Sequence, residues 1–362
     1  MRQLATIQKI ISIRPIEGAD KIEVAQVLGW EVVVKKGEFN VGDLVCYMET
    51  DSIVPQIPMF EFLEERKYRV RIIKLRGQIS QGLIIPIQSL RDSGFKIVAK
   101  EGVDITDILG IKKYDPQLVE EQTAFNTNHK KSKLFKFFFK FKVFRTIYFK
   151  FFEDKEKGFP SFIRKTDETR IQSIPSIIWN NQNRVFYLTE KLDGMSSSFW
   201  FNKGKFGFAS RNINLSNSKD NAYFNIAKKY NIDFILKEYS KKHKMNIAIQ
   251  GEIIGPKIQG NPYELKENEF YIFNVFNIDK NEYFQYNEII RFIDETGLKL
   301  VPIIDTKKFI FSDVNSVVKE SYGKSVLNTL KDREGLVFRS IDLPFTSFKV
   351  INPEFLLKEE KQ

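Results

Sequence analysis

The sequence predicts an α+β fold: a small N-terminal β-barrel followed by a larger α/β-mixed domain. Three observations carry this. Residues 1 to 110 break into short strand-forming runs separated by turn chemistry. Residues 111 to 158 change composition sharply, and from residue 159 onwards strands alternate with helix-length segments. At 362 residues the chain is long enough to bury two cores.

In the first part, Ala5 to Ile13 alternates as a strand should, and Glu17-Gly-Ala-Asp20 reads as a turn. Ile22 to Val27 and Trp30 to Val34 follow, with Lys36-Gly37 and Val41-Gly-Asp43 as punctuation. Asp43 to Tyr47, Tyr68 to Lys74 and Leu83 to Ile87 complete the set. Short strands at this spacing suggest a barrel. Arg69, Arg71, Lys74 and Arg76 are its candidate contacts to a nucleic-acid backbone, although an exposed basic strand face explains them equally well. Cys46, the one cysteine, lies in an apolar run and reads as a small buried hydrophobe.

The connector mixes aromatic and basic residues, with the run Lys133 to Phe152 at its centre. Between His129 and Lys157 there are ten Lys or Arg and three Asp or Glu, so most of the chain's net +11 is local. Three readings compete: a helix packing its aromatic face on a neighbour, stacking on single-stranded nucleic acid, and membrane-surface binding. The basic balance makes an anionic partner the expectation, with nucleic acid first.

Beyond residue 158, strands are expected at Arg184 to Leu188, Ser197 to Phe201, Lys205 to Ala209, Met245 to Glu252, Phe270 to Ile278 and Gly335 to Arg339. Helices are expected at Ala222 to Lys242 and Tyr286 to Thr296. With one cysteine and only His129 and His243, neither a disulfide framework nor a histidine metal cluster or triad is expected. The N-terminus lacks the apolar core of a signal peptide, and no stretch reaches about 18 uncharged apolar residues. A cytoplasmic or otherwise intracellular protein is the expectation.

Chemistry concentrates around Lys191-Leu-Asp-Gly194, where an apolar strand meets a polar turn. A lysine so placed is fixed by its backbone and still faces a cleft, where lost hydration and cationic neighbours make the amine a nucleophile. Ser210-Arg211 follows at a strand end, and the fork of Arg211 suits a ribose or phosphate oxygen. Gln250-Gly-Glu252 ends an apolar strand in a carboxylate, and the aromatics of Tyr271 to Phe276 include a candidate purine platform. Glu334 stands at a strand entrance, and Lys349 is a candidate phosphate partner. Each alone reads more simply as core or solvated surface; their joint occurrence in order is the signal.

In this order the motifs resemble those of the covalent nucleotidyltransferase superfamily of polynucleotide ligases and mRNA capping enzymes. More closely, the chain resembles the ATP-dependent RNA ligases with an N-terminal OB-fold module. That likeness includes Pro15 to Asp20, Lys36-Gly37, Lys74 to Leu83 and Lys165 to Gln172. It implies an OB-fold module over residues 1–110 and a nucleotidyltransferase (adenylation) domain over 159–362, joined by the connector 111–158. DNA ligases and capping enzymes of the superfamily carry their OB domain after the catalytic one; only 13 residues follow Lys349 here, which favours the RNA ligase branch. The cysteine cluster of bacterial NAD-dependent DNA ligases is missing. Two positions depart from the pattern: Asn274 stands where many relatives are acidic, and Val350 follows Lys349 in place of a second lysine.

The resemblance implies a three-step reaction in which Lys191 takes AMP from ATP, AMP moves to a 5′-phosphate, and a 3′-hydroxyl seals the break. It assigns Glu334 to a divalent cation (Mg²⁺ or Mn²⁺) and Glu252 to the ribose and the metal. Arg211 falls to sugar or phosphate, Phe273 to adenine stacking and Lys349 to the α-phosphate. Asp193 orders the turn beside the nucleophile, and the backbone around Glu190 reads the adenine edge. The expected partner is RNA with a 3′-hydroxyl end or a nicked duplex, bound by a monomer with no obligate protein partner. The alternatives are a capping-type guanylyltransferase using GTP and a non-catalytic RNA-binding protein on a ligase scaffold.

Overall fold

A computed structural model describes residues 3–114, 158–215 and 221–360. The expected aromatic-basic segment at 133–152 lies outside the described residues. The chain forms two compact units. The first comprises Met1–Tyr114, Asp167–Lys191 and Pro302–Gln362; the second comprises Asp115–Thr166 and Leu192–Val301.

The first unit opens with β1 (Ala5–Pro15), β2 (Ile22–Val27), β3 (Trp30–Lys35) and β4 (Leu44–Met48). Then come β5 (Ser52–Ile53), β6 (Ile73–Leu75), β7 (Gln78–Ser80), β8 (Leu83–Pro86), helix α1 (Ile87–Asp92) and β9 (Lys112–Lys113). Five of these strands make one antiparallel sheet in the order β3-β2-β1-β4-β8. The sheet curls: Gln81 N–H donates to the Glu31 carbonyl (2.8 Å) and Val33 N–H to Ser80 Oγ (2.9 Å), bringing the β3 edge to the segment after β7. Alternate residues of β2 and β3 point into a core with Trp30 and Tyr47. Cys46 is fully buried, and burial pushes its thiol up, so it packs as a small hydrophobe.

Two details differ from expectation here. A 3-10 helix occupies Pro58–Arg66, and it exits through Lys67 and Tyr68, both at positive φ. The expected strand at Tyr68 to Lys74 is therefore reduced to β6 plus an extended approach paired locally with residues 51–54. Alternation survives, with Val70 and Ile72 buried and Arg69 and Arg71 on the other side.

Helix α2 (Ile177–Asn180) and strand β10 (Val185–Lys191) close this stretch of the first unit. The second unit begins with β11 (Met195–Asn202) and β12 (Lys205–Ser210), followed by helices α3 (Ala222–Lys229) and α4 (Ile232–His243). It continues through β13 (Ile247–Ile254), β14 (Glu269–Asn277), β15 (Glu282–Tyr283) and α5 (Tyr286–Thr296). The single helix expected at Ala222 to Lys242 is two, because Asn231 adopts a left-handed conformation (φ 48°) between them. Sheet order is β12-β11-β13-β14-β15, and its core gathers Phe199, Phe208, Phe270 and Phe292 beneath α3, α4 and α5.

The chain then returns to the first unit as β16 (Ile303–Lys308), α6 (Val314–Glu320), β17 (Gly335–Ser340), β18 (Ser347–Ile351) and α7 (Pro353–Glu359). These strands join β10 in the order β16-β10-β17-β18. Their shared face is aromatic. Phe186, Phe309, Phe338 and Phe348 are all essentially buried, with Phe338 and Phe348 stacked at 5.0 Å. No helix among the described residues is long and apolar enough to cross a membrane.

Candidate active site

Lys191 is the last residue of β10, and the register sets it opposite Gly335, the first residue of β17. Glu334 precedes that glycine, so the two side chains meet: Lys191 Nζ donates to Glu334 Oε2 at 2.6 Å. Strand pairing thus delivers a carboxylate to this amine. Gly335 is required by the packing, since a Cβ there would lie 2.2 Å from the Val350 carbonyl oxygen and 3.0 Å from Ile351 Cα. Gly335→Ala should force β17 from β18 and destabilise the protein by about 1–3 kcal/mol, read as a lower Tm.

Lys349 lies on β18 opposite Val337, so β17 separates its strand from that of Lys191. Its ammonium sits 3.3 Å from Asp167 Oδ1, and Asp167 Oδ2 also takes Lys113 at 3.1 Å. Glu190 is buried, and its Oε2 accepts from Val326 N–H at 2.8 Å. Burial raises the Glu190 carboxyl above its ordinary value, opposed by hydrogen bonds from Ser325 and Val326 and by the Arg333 charge. A carboxyl raised in the folded state binds protons better there than in the unfolded chain. Its contribution is full below the ordinary value near 4.5 and is lost as pH rises through the raised one. Glu190→Gln should therefore flatten the decline of Tm with pH above about 4.5.

Glu359, at the end of α7, is pushed up to about 7. Crowding by protein atoms desolvates it, Glu334, Asp51 and Glu360 repel its charge, and Lys191 attracts it. The residue as a whole keeps exposed surface, so water screens these influences and the direction is what matters. Lys191 thus has two carboxylates, those of Glu334 and Glu359, among its neighbours.

The second unit holds the remaining candidates. Asp193 N–H donates to Tyr263 Oη at 2.6 Å, fixing the turn that follows Lys191. A Cβ on Gly194 would meet the Ile253 carbonyl oxygen at 2.5 Å and Glu252 Cγ at 2.9 Å, so this turn packs directly on β13 beside Glu252. Phe273 is the extra residue of a β-bulge: Gln250 pairs with Asn274 and Gly251 with Ile272, leaving Phe273 without an opposite number. Bulges re-aim side chains, and Phe273 is only half-buried, unlike Ile272 and Asn274 on either side. Arg211 follows the last residue of β12, half-buried.

The four expected nucleic-acid contacts are placed differently from one another. Arg69 pairs with Asp51 at 2.6 Å and also with Glu360, Arg71 pairs with Glu360, and Lys74 pairs with Glu354. Arg76 is exposed at the β6–β7 turn.

Among the described residues, no three His, Cys, Asp or Glu side chains are grouped to hold a metal ion. Mg²⁺-type cations are ordinarily held by one or two carboxylates together with substrate phosphates, and the Glu334 carboxylate is a hard oxygen donor of that kind.

Comparison with known proteins places the chain in a family. An OB-fold domain model matches residues 4–87, and the RNA ligase family model matches residues 184–351. A search of curated proteins returned no match. Among solved structures, a Naegleria gruberi RNA ligase with PPi is 32% identical, with both chains covered in full and a TM-score of 0.81. A lysine-to-alanine variant of that ligase with ATP and Mn is 31% identical, covering 99% of this chain and 100% of its own, with a TM-score of 0.81. A glutamate-to-alanine variant with AMP and Mn is 32% identical, again over both chains in full, with a TM-score of 0.80. The chain belongs to the RNA ligase family.

Three residues of this RNA ligase escaped the sequence reading. Tyr263 orders the turn after Lys191, and Asp167 holds Lys349. Arg170, buried between the OB-fold module and the β16-β10-β17-β18 sheet, donates to Thr50 Oγ1 (2.7 Å) and Asp51 Oδ2 (3.2 Å) and lies over the Trp30 ring. Asp167 and Arg170 stand in the segment Lys165 to Gln172, whose likeness to RNA ligases was the one available signal. Tyr263 had none, since its partner is a backbone N–H.

Proposed function

We propose that this RNA ligase uses ATP to seal 3′-hydroxyl/5′-phosphate breaks in RNA, nicks in a duplex above all, through a lysyl-AMP intermediate. The observation that carries the reading is the Lys191–Glu334 pair at 2.6 Å, the nucleophile and the anion that must give it up. The Naegleria structures support it, because ATP, AMP and PPi are the substrate and fragments of an adenylyl transfer. The lysine and aspartate altered in two of them are two residues apart, as Lys191 and Asp193 are here. The arginine altered in a third precedes that lysine by 21 residues, the separation of Arg170 from Lys191.

In the first step Lys191 Nζ, having lost its proton, forms a bond to the α-phosphorus, and the bond to the bridging oxygen breaks to release pyrophosphate. In the second, an oxygen of the RNA 5′-phosphate attacks the same phosphorus and Lys191 leaves as the amine. In the third, the RNA 3′-hydroxyl attacks the 5′-phosphorus, AMP departs and a phosphodiester remains. Each step is a displacement at phosphorus, governed by positioning and charge neutralisation. Lys349 neutralises the α-phosphate, Arg211 and Glu252 hold the ribose and its phosphate, Phe273 carries the adenine face, and the backbone around Glu190 takes its edge. Asp193 keeps the turn in place. A divalent cation held by Glu334, with Glu252 as second donor, would supply positive charge to the phosphates and draw the Glu334 carboxylate from Lys191.

The test is incubation with α-labelled ATP and Mn²⁺, then a nicked RNA duplex. Covalently labelled protein and a sealed strand are expected; a protein that is not already adenylated and takes no label would overturn the reading. Label from GTP in preference to ATP would indicate a capping-type enzyme instead.

A further inference from the structure

The cations expected to grip RNA are already occupied. One carboxylate, that of Glu360, bridges two guanidiniums, with Oε1 3.0 Å from Arg69 Nη2 and Oε2 2.9 Å from Arg71 Nη1. Glu354, one helix length earlier, sits 3.2 Å from Lys74 Nζ. Arg69 and Arg71 project from the same side of an extended segment, because the intervening Val70 is turned inward. Two anionic oxygens on adjacent arginine forks are the arrangement that a phosphodiester also makes. Arg71 Nε, buried, finds no hydrogen-bond acceptor, so this fork has a donor to spare.

Helix α7, which carries these carboxylates, is tied to the reaction centre. Asn352 N–H donates to the Glu334 carbonyl at 2.9 Å, and its side chain caps α7 by accepting from Glu354 N–H at 3.0 Å. The pairs therefore join the cationic strip of the OB-fold module to the backbone of the residue that holds Lys191.

We propose that Glu354 and Glu360 stand in for RNA phosphates on Arg69, Arg71 and Lys74, and that the backbone of the RNA strand displaces them when it binds. Helix α7 is then an internal counter-ion, released as substrate docks. The inference rests on the RNA-joining reading and adds where the strand lies and what it must push aside. It has a thermodynamic signature. A protein cation that neutralises a phosphate normally frees the salt cation condensed there, with a slope of log K against log salt of about −0.9 for each contact on a duplex. Here two carboxylates, serving three cations, are displaced as phosphate arrives, so the release matching those two charges is offset and the slope is shallow.

The experiment measures binding of a nicked RNA duplex, without ATP or metal, to the full chain and to Glu354→Gln/Glu360→Gln across 50 to 200 mM salt. Both carboxamides keep the side-chain length and lose the charge. The double variant should bind at least about tenfold tighter at the lowest salt, with a slope steeper by up to roughly two contacts' worth. Glu354→Gln alone, which removes the partner of Lys74, should shift both by about half of that on a logarithmic scale. Equal or weaker binding by a double variant whose Tm matches the unaltered protein would overturn the proposal and leave the pairs as a buttress. Arg69→Gln/Arg71→Gln should weaken binding, and unchanged binding there would overturn it as well. Labelling of the unaltered protein by ATP is scored separately, so failure of the ligase reading and failure of this one give different results.

Discussion

Lys191→Ala is expected to yield no covalent nucleotide–protein adduct from ATP and a loss of RNA joining of about four orders of magnitude or more. On the lysyl-AMP reading alanine removes the atom that forms the phosphorus–nitrogen bond, and Glu334, paired with Lys191 at 2.6 Å, is a carboxylate that cannot form it. The fold should survive, because the Lys191 side chain is partly exposed and the strand keeps its ladder to β17. Lys191→Arg keeps the charge and should fail equally, since a guanidinium does not deprotonate. A second substrate sharpens the result. RNA whose 5′ end already carries AMP needs only the last step, so the variant should join it with a far smaller deficit. If label persists on Lys191→Ala, another residue is the nucleophile and the reading of the site fails.

Glu334→Ala should lower adenylation by about 10²- to 10³-fold, the range expected when one charged group that positions reacting partners is lost. Two roles fall together: the carboxylate is the partner of Lys191 and the best-placed candidate for the divalent cation. Glu334→Gln separates them. The amide can still accept a hydrogen bond from Lys191, but it offers a metal no charge. If the metal role dominates, Gln should be nearly as poor as Ala and raising Mn²⁺ should recover part of the rate. If Gln retains full activity at low metal, Glu334 merely positions the lysine. Each variant is read by the rate of label incorporation against metal concentration, with Tm as the check on folding.

Much of this arrangement was written in local patterns. Apolar patterning located β2, β3 and β11 to within a residue or two: β3 alternates because it buries one face, whereas β11 is a continuous run buried on both faces at its centre. The amphipathic run of α5 and its glycine stop at Gly297 were likewise local. The break at Asn231 was less visible, since asparagine tolerates both helix and left-handed turn and only packing decides. The partners of the cationic strip were not visible at all. Lys74 and Glu354 are 280 residues apart, and nothing in either segment names the other. The same holds for the carboxylate beside Lys191. The motif announced a nucleophile, but the identity of its nearest neighbour is a matter of which strand lies alongside and in what register.

That register is guarded by bulk. Phe186, Phe338 and Phe348 belong to β10, β17 and β18, and with Phe309 they interlock on one face, ring to ring, between 5.0 and 6.4 Å. A slip of one residue between any two of these strands would drive the rings onto the opposite face, where Tyr187, Thr189 and Arg339 are already packed, and carry Lys191 and Lys349 inward. Four phenylalanines thereby act as a detent, with a single stop at which Lys191 faces Glu334.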